Sequence, residues 1–588
     1  MFVAEMGDYP LPPGDGSNLS RIRLLSDENG DGIMDKAVTW ADGLDHVQGL
    51  MPMKGGLLAT TRTAILFLKD TDGDNIADLR EKLFTTNEPN HNQLQVSSPR
   101  YGLNNLVYLS NGLDGKEIYP EEHPEQKLNF TKLNLRYNPR TGEMTTESGA
   151  GQFGGTLDDF GRHFFCSNRN PVIFAAMPLA AVQRNPLAGI TTGQEDIQEP
   201  GAPVYPLALS HTTSAAHAGT HTAACGIGVY RGGLMPEMTG DIFVCDPTAQ
   251  LVTRNHLVAK GASFTADRVG KGRDFLVSGD EWTRPVQVRN GPDGALYICD
   301  MYRRFIDHAR FFPEDFAKSH YMRAGFDQGR IWRVVPKGSK VSPVAPLPTE
   351  IDSLVALLSH DNGWQRTEAQ RILVERQDQS AVPLLKALLN SSPSAKTSCH
   401  ALWTLAGLDA LEVDTLKPIL ESATDPGLLE NALLAAHQSG LSSSLLETLG
   451  KEMSKDAPRM RFLAIALVDG LTLTPDQLAL LIAEAPADSW LRKAILSSAP
   501  DLVTETLVTL LNTKTFTSRP SAETAPVLTD LARMTAARGD IGELNRILAL
   551  LAGEPTPRHF AIVQGISEGL PRSPLKQRSL AALISAKL

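Results

Sequence analysis

Hydrophobic and polar positions alternate in short runs over the first part of the chain, and the period changes near residue 340. Upstream, short apolar runs recur between turn signals rich in Gly, Asn, Asp and Pro, a pattern of strands rather than helices. The strongest β-runs are Gly56–Thr60, Ile65–Lys69, Leu106–Ser110, Lys132–Tyr137, Gly226–Tyr230 and Asp241–Cys245. The clearest unit begins at Trp282-Thr283-Arg284. It runs through a β-segment to the turn Gly291-Pro292-Asp293-Gly294, then Ala295–Cys299, and closes with Gly329–Val334. In that turn Pro presets φ and Gly permits φ > 0. Strand, turn, strand, loop, strand is one blade of a β-propeller, and looser versions recur upstream. The pattern predicts six blades, near 1–43, 44–88, 89–147, 150–200, 205–262 and 273–336. Ala180–Pro203 carries little β signal and reads as a long surface loop.

From Thr349 onward the text is rich in Ala and Leu at helical spacing. Helices are expected over Ile351–Leu358, Trp364–Glu375, Ala381–Leu389, Thr397–Leu405 and Leu428–His437, with more to the C-terminus. Pairs of short helices broken by Asp, Gly and Pro turns describe a HEAT-like α-solenoid. The expected fold class is therefore multidomain β + α: a six-bladed β-propeller over 1–336, a Pro/Ser linker over 337–348, and an α-helical HEAT-like solenoid over 349–588. Trp364, Trp403 and Trp490 fit its core. The Ala/Leu-rich half suits protein docking or a spacer.

A chain of 588 residues is too long for one core, which agrees with this division. The net charge of −11 and the lack of a basic run interleaved with aromatics speak against nucleic acid as a partner. No apolar run reaches membrane-spanning length. The five cysteines, Cys166, Cys225, Cys245, Cys299 and Cys399, form no CxxC pair. Zinc ribbons, thioredoxin chemistry and covalent c-type haem are unsupported, and buried free thiols are expected. The opening MFVAEMGDYPLPPGDG has no basic and apolar leader, and Phe2–Met6 reads as the middle of a strand. Residues upstream of it, and a truncated first blade, are expected.

Two acidic loops carry candidate metal ligands: Asp27, Asn29, Asp31, Ile33 (through its carbonyl) and Asp35, then Asp70, Asp72, Asp74, Ile76 (carbonyl) and Asp78. Oxygen donors at alternate positions suit the six to eight contacts of Ca²⁺. Glu81 falls where an EF-hand places its bidentate glutamate, but the flanks read as strands. Calcium is expected to pin a hairpin; a solvated acidic turn is the alternative.

His91, in Pro89-Asn90-His91-Asn92-Gln93, precedes an inner strand and would overhang the channel mouth, where an imidazole could take a hydroxyl proton. His211, His217 and His221 form a third cluster that could bind a transition metal or face water.

The histidine followed by Gly102 through Tyr108 resembles the catalytic-histidine blade of soluble quinoprotein glucose dehydrogenases and the related sorbosone and aldose sugar dehydrogenases. Cys225–Gly233 with Gly240–Val244, and Trp282–Val286 with Gly291–Tyr297, resemble later blades of that family. The combination of propeller, DxDGDGxxD loops and helical repeats resembles the planctomycete and verrucomicrobial putative membrane-bound dehydrogenase group. That resemblance implies a sugar or alcohol dehydrogenase using pyrroloquinoline quinone (PQQ). His91 would be the general base, and Arg169, Asn170 and Arg284 would hold the quinone. It also implies a periplasmic or secreted location, and a cytochrome c or other separate electron acceptor. After Arg169-Asn170 the chain lacks that family's Gly-Pro carbonyl pair and its YGWP segment, and no CxxCH is present in this sequence. The alternative is a non-catalytic, calcium-stabilised propeller–solenoid that binds a carbohydrate or protein. A calcium-dependent lactonase-type hydrolase is a third reading.

Overall fold

Antiparallel sheets replace each other along the chain at the predicted blade spacing. The computed structural model describes the chain except for residues 10–17, 92, 209–218, 308, 340–343, 392–393, 442–456, 468–473, 485 and 577–588. Blade 1 holds β1 (Phe2–Glu5), β2 (Ser20–Ser26) and β3 (Lys36–Leu44). Blade 2 holds β4 (Gly49–Met53), β5 (Gly56–Thr60), β6 (Ala64–Lys69) and β7 (Leu79–Thr86). In blade 3, β8 (Ser97–Tyr101) and β9 (Val107–Ser110) lead to β10 (Glu117–Pro120) and β11 (Leu128–Asn129), which join the outer edge of blade 2. The chain then completes blade 3 with β12 (Asn134–Tyr137) and β13 (Met144–Glu147). Blade 4 holds β14 (Phe153–Leu157), β15 (His163–Ser167), β16 (Asn170–Ala175) and β17 (Gln194–Asp196). Blade 5 holds β18 (Cys225–Val229), β19 (Ile242–Asp246), β20 (Leu251–Lys260) and β21 (Ser263–Arg268), with β22 (Leu276–Val277) beside β20. Blade 6 holds β23 (Pro285–Asn290), β24 (Leu296–Asp300) and β25 (Arg330–Val334). The six sheets form a six-bladed β-propeller, and a helical region follows it.

Blades pack face to face, so both faces of a middle strand meet apolar neighbours. Between blades 2 and 3, Met51, Leu58, Ile65 and Phe67 pack with Val107, Leu109, Leu135 and Tyr137. Each such side chain contributes about 1.5–3 kcal/mol relative to exposure. The inner strands β8, β14, β18 and β23 each carry a register shift. Ser98, Gly154 and Gly226 take positive φ at three of them. Bulges of this kind re-aim side chains, here at the channel wall.

The structure divides into two compact units, and the division does not fall where strands give way to helices. Unit 1 comprises Met1–Ala175, Gln194–Val258 and Phe264–Ile419; unit 2 comprises Ala176–Gly193, Ala259–Ser263 and Leu420–Leu588. Unit 1 therefore includes the helices Ile351–Leu357, Gly363–Arg376, Ala381–Ser391 and Ala395–Gly407. Their seat is the set of tight turns that end the inner strands. The Asn362 side-chain amide donates to the Gly291 and Pro292 carbonyls at 2.9 and 3.0 Å, and Gln370 donates to Leu103 O at 2.7 Å. Gly363 packs so closely on Arg231 that an added Cβ would lie 2.8 Å from its Cβ.

At the centre of this seat is Asp159, in the turn between β14 and β15. Its Oδ1 accepts from Arg231 Nε and Arg366 Nη2, both at 2.5 Å, and its Oδ2 lies 2.7 Å from Lys396 Nζ. Burial alone would raise its pKa. The three cations outweigh that and hold the carboxyl well below the usual carboxylate range. Beside it, burial and the Arg366 and Arg231 charges push His400 well down, so its Nδ1–H donates to Gln370 Oε1 from a neutral ring.

Unit 2 is helical, with Pro426–Gln438, Pro458–Leu467, Pro475–Glu484, Ser489–Ser498, Val503–Asn512, Ser521–Arg538, Ile541–Ala549 and Pro557–Gly569. Of the stretch read as a surface loop, the part up to Gly193 belongs here, while the rest lies in unit 1 and includes β17. Leu179–Arg184 is a helix, Ala181 and Ala188 are buried, and Asn185 Nδ2 donates to Leu496 O at 2.7 Å. Its low β signal reflected helix and tertiary docking rather than a solvated loop. Among the described residues no single helix is long and apolar enough to cross a membrane.

Removing the Asp159 charge strands three cations. Asp159→Asn is expected to cost on the order of 3–5 kcal/mol at neutral pH, read by denaturant unfolding. The depressed pKa means this stabilisation is complete above the unfolded-state value of about 3.9 and fades as pH falls toward the lower folded value. The variant should therefore lose part of the parent's decline in stability below about pH 4. An unchanged unfolding midpoint at neutral pH would remove Asp159 from this role.

Candidate functional site in the propeller channel

The inner strands surround a channel of about 2240 Å³. Loops that precede the inner strands, together with the segment between β24 and β25, form one mouth. Tyr9, His91, Gln93, Arg169, Ile306 and Asp307 line it. His91 is 8% exposed. Its Nδ1 accepts the Gln93 backbone N–H at 3.2 Å. An amide N–H only donates, so the neutral ring carries its proton on Nε2. The Gln93 side-chain amide donates to the Tyr9 hydroxyl, which in turn donates to Ile306 O. Burial, and then the Asp307 carboxylate, push the Tyr9 phenol up, so it stays protonated. The Phe311 ring centroid stands 6.0 Å from that of His91. The site thus offers a proton on an imidazole, a buried phenol and a carboxylate beside an aromatic face.

The residues expected to hold a cofactor separate into two groups. Arg169, in the turn between β15 and β16, is exposed and lines the mouth. Asn170 begins β16, is not among the channel-lining residues, and its amide donates to Asp196 Oδ1 at 2.9 Å. Arg284 is 0% exposed and does not line the channel either. Its Nε, Nη1 and Nη2 donate to the carbonyls of Arg303, Pro247 and Arg304 at 2.8, 2.7 and 2.6 Å. Burial pulls this guanidinium down to about 10, while the Asp307 charge holds it up. Arg284 clamps the backbone that builds the mouth.

Both acidic loops join strands, as their flanks predicted: the first links β2 to β3 and the second β6 to β7. They share one geometry. Asp27 Oδ1 and Oδ2 accept from Gly30 N and Gly32 N at 2.7 and 2.8 Å; Asp70 does the same with Gly73 N and Asn75 N at 2.7 and 2.9 Å. Asn29, Asp31, Asp72 and Asp74 each accept a backbone N–H two residues on. Asp35 accepts from Glu28 N, and Asp78 from Thr71 N. In the second loop one carboxylate oxygen each from Asp70, Asp72 and Asp74 lies within 4.8 Å of the others. Three converging carboxylates fit a hard cation. Glu81 is not in that group; it lies on β7 opposite Phe67. Ile33 and Ile76 are exposed residues of these loops.

Of the histidine cluster, His211 and His217 lie outside the described residues. His221 is fully buried; its Nδ1 lies 3.0 Å from Asp246 Oδ2 and its Nε2 lies 3.4 Å from Arg268 Nη2. An arginine only donates, so Nδ1 carries the proton and the ring is a structural link.

Sequence reasoning gave no role to Tyr9, Asp307 or the channel arginines Arg100 and Arg289. The stretch Arg303–Phe312, rich in charged and aromatic residues, was the available signal for the mouth.

A family model described as a domain of unknown function (DUF7133) matches residues 1–338. No curated protein matches the chain. Among solved structures, the chain is similar to a Thermus thermophilus oxidoreductase described as a glucose dehydrogenase, at 15% identity and TM-score 0.33, covering 57% of this chain and 92% of the other. It is similar to the soluble aldose sugar dehydrogenase of Escherichia coli at 12% identity and TM-score 0.27, covering 49% and 90%. For the PQQ-bound aldose sugar dehydrogenase of Streptomyces coelicolor the values are 14%, 0.27, 48% and 84%.

Arg284→Met is expected to lower the thermal midpoint whether or not any cofactor is added. Each carbonyl left buried without a donor costs about 1–3 kcal/mol. A parent-like midpoint would return Arg284 to the set of groups free to bind a ligand.

Proposed function

The chain belongs to the DUF7133 family, and we propose that it is an oxidoreductase acting on the CH–OH group of a sugar or alcohol at the propeller mouth, with a quinone cofactor of the PQQ type. The observation that carries this reading is the placement of His91 on the channel wall, within one network with Gln93 and Tyr9. The ring is largely buried and its Nε2 is covered, so a hydroxyl entering the mouth would meet it after a local shift of the lining.

The fit to a carboxylated quinone rests on Arg169, the exposed guanidinium at the mouth, with Gln93 on the same channel lining. A planar guanidinium suits a bidentate carboxylate. When bound, the quinone would supply the hydride acceptor. The protein's part is to orient the hydroxyl and manage its proton. In the neutral ring that proton site is already filled at Nε2, so His91 can take a substrate proton only after the Gln93 N–H contact to Nδ1 is released. Electrons would pass to a separate acceptor, in a periplasmic or extracellular setting, and the helical region would serve docking.

Calcium belongs to the same proposal as a structural ion. Asp70, Asp72 and Asp74 would hold it between β6 and β7, and Asp27, Asn29, Asp31 and Asp35 would form the sister site. Added Ca²⁺ should raise the thermal midpoint by mass action on the folded state, and Asp72→Asn with Asp74→Asn should abolish the part due to the second loop. A midpoint indifferent to Ca²⁺ and to chelator would refute the structural ion.

A second reading, a non-catalytic propeller that binds a carbohydrate, is favoured by the engagement of Asn170 and Arg284 away from the channel. Thermal titration of calcium-loaded protein with PQQ separates the two. The enzyme reading expects saturable stabilisation, dye-linked turnover of a sugar or alcohol, and a loss of roughly 10²–10⁴-fold in kcat in His91→Ala. Stabilisation by sugars without any response to PQQ would select the binding reading.

A further inference from the structure

The channel has a second end, and its charges are arranged differently. His91 and Arg284 precede β8 and β23, whereas Arg100 and Arg289 stand near the far ends of those strands. At a strand rise of about 3.3 Å per residue, Arg289 lies roughly 13 Å along β23 from Pro285. Beyond that end the strands turn at Gly102 and Gly291, where the helix Gly363–Arg376 is seated, and Trp364, Thr367 and Glu368 from this helix join the channel lining.

We propose that Arg100 and Arg289 form an oxyanion-binding site inside the channel, which takes the carboxylate or phosphate of a small acidic ligand. Both side chains line the channel, from blades that face each other across the ring. Among the described residues neither makes an ion pair, although arginines elsewhere in the chain are repeatedly paired with acids. Arg100 is 9% exposed; its Nη1 donates to its neighbour Pro99 O at 2.9 Å, and its Nη2 is buried with no hydrogen-bond partner. Arg289 Nη2 reaches only Leu50 O, at 3.4 Å.

The acids nearest this end are already committed. Glu368 binds Arg371 at 2.6 Å, Asp293 binds Arg333 at 2.6 Å, and Asp159 holds its three cations. Burial pulls Arg289 down to about 10. Arg100 is lowered as well, first by burial and then by the like charge of Arg289. Buried charges are ordinarily paired, because an unpaired one loses its hydration without compensation. Two guanidinium forks that share one oxyanion would relieve both the desolvation and their mutual repulsion.

The test needs no quinone and no turnover, so its outcome is independent of the redox reading. The full chain is titrated with inorganic phosphate, with glucuronate and with glucose, each against chloride at constant ionic strength, and thermal midpoints are recorded. Saturable stabilisation by phosphate or glucuronate, but not glucose, is expected, and the stronger of the two identifies the ligand's acidic group. Arg100→Gln should weaken the apparent affinity roughly 10- to 100-fold, as loss of a charged hydrogen bond does. Because the substitution removes a buried unpaired charge, the midpoint in chloride alone should stay level or rise. Arg289→Gln should weaken the anion response likewise.

An anion response equal in parent and variants, or none beyond chloride, would overturn the proposal. If a variant does not fold, an anomalous-scattering map of parent crystals soaked in bromide decides instead. A peak between the two guanidinium groups supports the site, and density elsewhere only rejects it.

Discussion

The carboxylate of Asp159 is the constraint on which the architecture of the first unit rests. It sits in a tight turn between β14 and β15 and gathers a cation from the loop after β18, one from the helix Gly363–Arg376 and one from the helix Ala395–Gly407. Such a cluster is stable only with its charge complete. One carboxylate among three cations leaves surplus positive charge, which the neutral state of His400 avoids increasing. The turns that punctuate the blades therefore do two jobs. They reverse the chain, and their carbonyls form the surface on which the first helices lie. This explains why the compact unit extends to Ile419 although the strands end at Val334.

The two ends of the channel follow from the direction of the inner strands. Residues that precede β8 and β23 reach the mouth; residues at the ends of these strands approach the helix seat. At the mouth the charges are of both signs: the exposed Arg169 guanidinium shares the lining with an imidazole, a phenol held protonated and the Asp307 carboxylate. At the helix end the excess is positive. Low-polarity walls strengthen both effects, since a charge there is screened less than on the surface. A ligand with a hydroxyl at one end and an acidic group at the other would match this polarity, and a neutral one would use the mouth alone.

Much of the fold was legible because its signals are local. Blade spacing, the Gly291–Gly294 turn and the helices from Ile351 to Gly407 all follow from periodicity and turn chemistry, which depend on neighbours in sequence. The acidic loops were legible for the same reason, as their hydrogen bonds close within a few residues. What failed was any inference that needed to know which way a side chain faces. Ala180–Pro203 looked like a loop because docking of Ala181 and Asn185 involves residues about three hundred positions away. Glu81 matched a spacing drawn from a helical loop, and a strand carries that position away from the three aspartates.

Arg284 and Arg100 show the same limit at the site itself. Arg284 stands just before an inner strand and Arg100 near the end of one, and nothing local tells which is free to bind. The difference lies in what the fold brings near. Around Arg284, the segment between β24 and β25 returns and presents the carbonyls of Arg303 and Arg304, with Pro247 from blade 5 completing the set. Each nitrogen finds an oxygen, so the side chain becomes a buried clamp behind the mouth. Around Arg100, the bulge at Ser98 and Pro99 turns one carbonyl toward the guanidinium, and the channel supplies nothing more. An arginine satisfied by backbone oxygens has little left to offer a ligand. One that is buried with a nitrogen unfilled is stabilised by whatever anion the channel admits, which makes the conspicuous arginine of the sequence structural and the inconspicuous one available for binding.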